Sequence, residues 1–154
     1  MKRFISFLLV CFTVLGISSG GAMAITYDEA MDTMDYIEIQ PHACRYLASY
    51  MAWTARDASG VLRVSFTVVA TSRQPNVGVT QIAVQRWNGT SWVTVRSYFS
   101  ATTPVMMGSN NSIHSASITH NGTVGGEYRA LVTIFSGSAA SNGQRMVTTN
   151  STVI

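Results

Sequence analysis

Strict alternation of oily and polar side chains is the feature that most limits how this chain can fold. Over residues 61–70, Leu62, Val64, Phe66, Val68 and Ala70 fall on one side of an extended backbone, and Arg63, Ser65 and Thr67 on the other. Residues 127–135 repeat the pattern, with Tyr128, Ala130, Val132 and Ile134 set against Glu127, Arg129 and Thr133. A period of two marks a strand with one face in a core; helix faces recur about every 3.6 residues instead. Two such strands need partners to cover their oily faces, so the alternation predicts an all-β domain.

The rest of the chain supplies those partners. Residues 47–55 are aromatic-rich and end at the turn Asp57-Ala58-Ser59-Gly60. Residues 79–87 form a strand with Ile82 and Val84 as its core positions, and residues 72–78, which contain Pro75-Asn76, read as a loop. Asn88-Gly89 between two apolar runs is the preferred chemistry of a tight hairpin, because both residues tolerate positive φ. Two registers are open: a two-residue loop sets Trp87 opposite Thr90, and a four-residue loop sets it opposite Trp92. The return strand runs over residues 92–99. Residues 100–111 read as a polar loop, residues 112–120 as a peripheral strand with Ala116 and Ile118 on one side, and residues 144–152 as the last strand. That makes seven strands, the number of a sandwich, with no repeat of longer period.

The amino terminus reads as an address. Lys2 and Arg3 precede a 14-residue apolar run from Phe4 to Ile17, followed by small residues and Ala22-Met23-Ala24. This is the pattern of a secretory signal peptide over residues 1–24, and the run is shorter than the ~18–20 residues of a spanning helix. The expected product is secreted and extracellular, meeting a membrane only during export. Cleavage removes the only lysine and leaves eight arginines against seven acids, so nucleic-acid binding has no electrostatic support. Five of those acids (Asp28, Glu29, Asp32, Asp35 and Glu38) lie in an acidic leader, residues 25–43, expected to be flexible or a short helix. Residues 44–154 then make one domain of ordinary size. One cysteine remains there, Cys44, which has no partner for an internal disulfide. It is either a small buried hydrophobe or the link of a dimer, the domain otherwise being expected as a monomer.

The segment Val124-Gly125-Gly126-Glu127-Tyr128-Arg129-Ala130 resembles the entry to the F strand of immunoglobulin-like and fibronectin type III-like sandwiches. The resemblance implies that Tyr128 is a corner tyrosine whose hydroxyl bonds back to the backbone, that residues 61–70 are strand B, and that the Asn88-Gly89 hairpin joins C to C′. The inter-sheet cysteine pair of antibody domains is missing. Over roughly residues 44–150 the chain also resembles small secreted proteins of Gram-positive, clostridial-type gut bacteria. The likeness is carried by Ile82-Ala83-Val84-Gln85-Arg86 ahead of a Gly-x-x-Trp turn, and by Tyr128-Arg129-Ala130-Leu131-Val132-Thr133. That resemblance implies a fold and a secreted address and brings no activity with it.

Residue chemistry points to binding and not to catalysis. His42 and Cys44 are two apart, and His114 and His120 would be separated by about 20 Å along a strand, so no metal or other cofactor is expected. Outside the leader only Asp57 and Glu127 are acidic, and there is no Gly-x-Ser-x-Gly, so neither a carboxylate pair nor a hydrolase triad is expected. The aromatic residues Tyr50, Trp53, Trp87, Trp92 and Tyr98 either fill the core or form a platform on which sugar rings stack. The platform reading takes Trp87, Trp92, Arg86 and Tyr98 as ligand-binding residues, with Asn88, Gly89 and Tyr128 as structural ones. Its partner is a cell-surface glycan or protein. The alternative is a structural or self-associating envelope protein with no small ligand.

Overall fold

The computed structural model describes residues 44–154. The expected signal peptide and acidic leader lie outside the described residues. Seven strands follow one another: β1 (Leu47–Ala58), β2 (Val61–Trp87), β3 (Trp92–Phe99), β4 (Met107–Asn121), β5 (Glu127–Gly137), β6 (Asn142–Thr148) and β7 (Thr152–Val153). A single 3-10 turn, Pro104–Met106, leads into β4. All strands belong to one sheet, and every pairing is antiparallel.

The sheet is organised on β2, which is 27 residues long. Its first half lies between β1 and β4, and its second half between β5 and β3, with β6 and β7 beyond β5. The expected loop at residues 72–78 is therefore strand: Gln74 pairs with Asn111, and Asn76 with both Ser109 and Gly137. Pro75 misleads a local reading because the β2–β4 register shifts before it, between Val69 and Gln74, and the residues on both sides of the proline stay paired. Opposite it stands Asn110, whose φ of 55° lies in the left-handed region. One strand thus runs through both halves of the sheet, which curls into a half-barrel.

The alternation foreseen in the sequence faces the inside of this curl. Leu62, Val64, Phe66 and Val68 from β2 meet Tyr128, Ala130, Val132 and Ile134 from β5, all buried, with Ile82 and Val84 beside them. Each such large aliphatic side chain contributes about 1.5–3 kcal/mol by leaving water. Inward residues on β2 switch from odd (Val77, Val79) to even (Ile82, Val84) because Thr80 is an extra residue in the ladder to β5. Met106 plugs the core from the 3-10 turn. Gly78 makes room for it, since a Cβ there, at φ 154°, would strike the Met106 carbonyl.

Two seams result from the curl. At one, β1 faces the corner between β6 and β7. Asn150 there accepts from the Thr54 N–H through Oδ1 (2.9 Å) and donates from Nδ2 to the Thr54 carbonyl (3.1 Å), as a neighbouring strand would. The Thr54 hydroxyl donates to the Asn150 carbonyl (2.7 Å), Tyr46 bonds Ser141, and a Cβ on Gly143 would collide with Cys44 Sγ. The expected last strand is interrupted at this corner because Thr149 turns its hydroxyl to the Ala130 N–H (2.9 Å). At the other seam β3 and β4 share no ladder. Tyr98 Oη alone reaches across, lying 3.4 Å from the Thr119 carbonyl and 3.2 Å from His120 Nδ1.

Candidate functional site: an aromatic and cationic patch at the hairpin

The hairpin adopts the four-residue register. Asn88 N–H donates to the Ser91 carbonyl (3.1 Å), and Asn88 Oδ1 accepts from the N–H groups of Thr90 (2.9 Å) and Ser91 (2.8 Å). Gly89 takes a φ of 96°, which side-chain-bearing residues avoid. This turn sets Trp87 directly opposite Trp92. Their rings lie 5.4 Å apart between centroids, tilted by 53°, on the outer face of the layer formed by β3, β2 and β5. Neither is in the core: Trp87 is 37% exposed and Trp92 half-buried.

Two residues not assigned to the site in the sequence complete the patch. The Arg129 guanidinium sits 4.4 Å over the Trp92 ring, a cation–π contact. Its Nε donates to Gln85 Oε1 at 2.8 Å, and Gln85 reaches Thr94 Oγ1 at 3.5 Å. Since Gln85 pairs with Arg129 and Arg86 with Tyr128, the next residue of β5, Glu127, comes beside Trp87 on the same outer face. The patch therefore combines an indole open to solvent with a guanidinium, held from below by the buried Gln85 amide, and a carboxylate. Only the β2–β5 register joins them, 42 positions apart in the chain for Trp87 and Arg129. The one local signal was that Glu127 and Arg129 occupy the polar phase of the β5 alternation.

The other expected ligand residues are not part of this patch. Arg86 and Tyr98 occupy the inward phase of their strands, opposite in sense to Trp87 and Trp92, because neighbours along a strand face opposite ways. Arg86 points to Thr123 Oγ1 (3.5 Å). Tyr98 packs at the rim of the core, with Arg96 5.7 Å over its ring and His120 edge-on at 6.3 Å. Tyr50 likewise packs against the core, and Trp53 lies on the outer face of the layer formed by β1, β2 and β4. The five aromatics are thus distributed over three places, not one platform.

The two histidines among the described residues, His114 and His120, are engaged structurally. His120 is held below its ordinary pKa, first by burial and then by the charge of Arg96. His114 Nε2 donates to the Val105 carbonyl at 2.8 Å. Among the described residues no three histidine, cysteine or acidic side chains converge as metal ligands. The one ion pair among them joins Arg63 to Asp57. Cys44 is half-buried and packs against the core near Leu47. Tyr128 is buried and accepts from the Thr123 N–H at 2.8 Å, while Gly122 and Gly126 make room for its ring, since a Cβ on either would come within 2.7 Å of it. Asn150, which begins one of the chain's N-x-S/T triplets, uses its side-chain amide on Thr54 and not at the surface. Compared with known proteins, the chain matches no family model, no curated protein and no solved structure.

Proposed function

We propose that the protein is a secreted, non-catalytic binding module that takes carbohydrate of a cell surface on the outer face at the Asn88-Gly89 hairpin. The observation that carries this reading is the exposed Trp87 ring standing against Trp92, with Arg129, Gln85 and Glu127 on the same face. A sugar ring presents an apolar C–H face and equatorial hydroxyls. An indole stacks on the first, while carboxylate and guanidinium groups bond the second. Stacking of Arg129 on Trp92 and its bond to Gln85 hold the guanidinium in place before a ligand arrives, which reduces the entropy lost on binding.

The domain is read here as an immunoglobulin-like sandwich in which the two halves of the curled sheet are the two layers. What supports this is the Tyr128 hydroxyl bonded to the Thr123 backbone, the glycines around its ring, and a core shared by both halves of β2. Export rests on the sequence of residues 1–24 alone.

A glycan and peptidoglycan binding screen with the purified protein tests the function. A hit is expected whose affinity falls about 2- to 12-fold in Trp87→Ala, the equivalent of the ~0.5–1.5 kcal/mol of one aromatic contact, and is unchanged in Trp53→Ala. Binding that survives Trp87→Ala, or that Trp53→Ala weakens as much, would overturn the assignment to this face. The absence of any glycan hit would remove the function itself.

A further inference from the structure

The outer edge of β4 is unlike the other edges of the sheet. Among the described residues nothing pairs with it, since β4 is bonded to β2 alone. Over its 15 residues β4 contains no lysine, arginine, aspartate, glutamate or proline. Its ladder to β2 runs without a shift from Ile113, opposite Val69, to Asn121, opposite Val61, so no bulge twists the edge away. Ser112, Ile113, Ser115, Ser117, Thr119 and Asn121 are exposed, Ile113 at 58%. Exposed edges ordinarily carry a charge, a proline, a bulge or a cover, because unpaired backbone groups will otherwise bond to another chain. The other edges conform: β3 has Arg96 and a bulge beside it, β6 has Arg145, and β1 is covered by Asn150.

About Ala116 the sequence of this edge is mirrored at two positions, Ser115 with Ser117 and Asn111 with Asn121, and sets two β-branched residues, Ile113 and Thr119, at matching distances. Residues 111–121 read Asn-Ser-Ile-His-Ser-Ala-Ser-Ile-Thr-His-Asn, with Ala116 at the centre. We propose that β4 pairs antiparallel with β4 of a second copy of this chain, Ala116 opposite Ala116 across a two-fold axis. That register sets Ser115 against Ser117, His114 against Ile118 and Ile113 against Thr119, and brings no two like charges together. Residues opposite each other in an antiparallel pair lie on one face, so the register keeps Ser115 and Ser117 outside and Ala116 and Ile118 towards the cores. A register centred between two residues would set inward positions against outward ones, which the burial of Ile118 forbids. Because the contact is two-fold and self-complementary, it closes at a dimer and does not propagate. Tyr98 reaching Thr119 within each copy marks the end of the paired stretch. This contact leaves the Trp87 face open and stands independently of the sugar-binding reading.

Sedimentation velocity of the purified protein in reducing buffer, where a Cys44 bridge cannot form, is the first test. A concentration-dependent doubling of mass is expected. The double variant Ser115→Lys and Ser117→Lys, which changes two exposed outer-face positions, should keep the circular dichroism of the parent and sediment as a monomer. In a Cys44→Ser background, Ala116→Cys should form a covalent dimer on oxidation, whereas Ala55→Cys, on β1, should not. A parent that stays monomeric at every concentration overturns the proposal. So does a dimer indifferent to the two lysines, or an Ala116→Cys chain that crosslinks no better than the Ala55→Cys chain.

Discussion

The two seams of the curled sheet are solved in opposite ways. Between β1 and the β6–β7 corner, side chains replace the missing ladder: Asn150 bonds both backbone groups of Thr54, and the Thr54 hydroxyl bonds back to Asn150 and Thr152. Thr54 is buried, so its peptide groups have no water to turn to and must be paired within the protein. Between β3 and β4 the exposed strands keep their outer edges in contact with solvent, and one tyrosine hydroxyl spans the gap. Burial of the backbone decides whether a seam must be sealed. The sealed one is a stability element, and the open one leaves an edge to which another chain can add.

The comparison is broken most severely by Asn150→Ala. It strands the Thr54 N–H and carbonyl in a buried place, and the expected loss is about 2–4 kcal/mol, read as a lower denaturation midpoint with unchanged slope. Asn150→Asp sharpens the test: it keeps an acceptor for the Thr54 N–H but faces the Thr54 carbonyl with a negative oxygen, so it too should be destabilised. If both variants unfold at the parent's denaturant concentration, the seam is not sealed by this side chain.

At the open seam a smaller effect is expected. Tyr98→Phe removes the bond to Thr119 and His120 but keeps the ring against the core and under Arg96. Both partners regain water at this rim, so the loss should be below about 1 kcal/mol, less than for Asn150→Ala. An equal or larger loss would mean that the seam is sealed after all.

The smallest effect concerns pH. Burial and Arg96 lower the pKa of His120 in the folded chain, so between the two pKa values the unfolded state binds more protons. Stability from this group is therefore complete above the unfolded histidine pKa, ~6.5, and declines as pH falls through the folded value. The melting temperature should drop between pH 7.5 and 5, and His120→Gln should flatten part of that drop. A parent melting point that rises on acidification over this range would contradict the burial of His120.

How far these features could be read from the chain depended on the range of the interaction behind them. Leu62 to Ala70 and Tyr128 to Ile134 announce their inward face because alternation along one strand is enough to set it. The Tyr128 bond to Thr123 spans five residues, and the glycines of the same turn signal it. Asn88-Gly89 located the hairpin, but its register depended on whether Trp87 meets Thr90 or Trp92, a choice local turn chemistry leaves open. Pro75 suggested a break where the ladder continues, because a proline shows that a donor is missing but not whether the residues on either side of it stay paired. In the candidate site Trp87 and Trp92 were legible as residues flanking one hairpin but not as a facing pair, while Arg86 and Tyr98, grouped with them, turn to the other face. Strand parity separates Arg86 from Trp87 at once, but a bulge between Thr94 and Arg96 resets the count towards Tyr98.

Local order alone therefore determined that this chain is all-β, which side chains form its core, and where it reverses at the hairpin. These follow from steric alternation and from residues that favour positive φ, neither of which requires a distant partner. Folding in three dimensions decided the rest: one strand running through both halves of a curled sheet, Arg129 laid on Trp92, Asn150 standing in for a strand, and β4 left without a second partner among the described residues. Each of these depends on which strands become neighbours, and that is set by the total burial of the curled sheet and not by any short stretch of sequence.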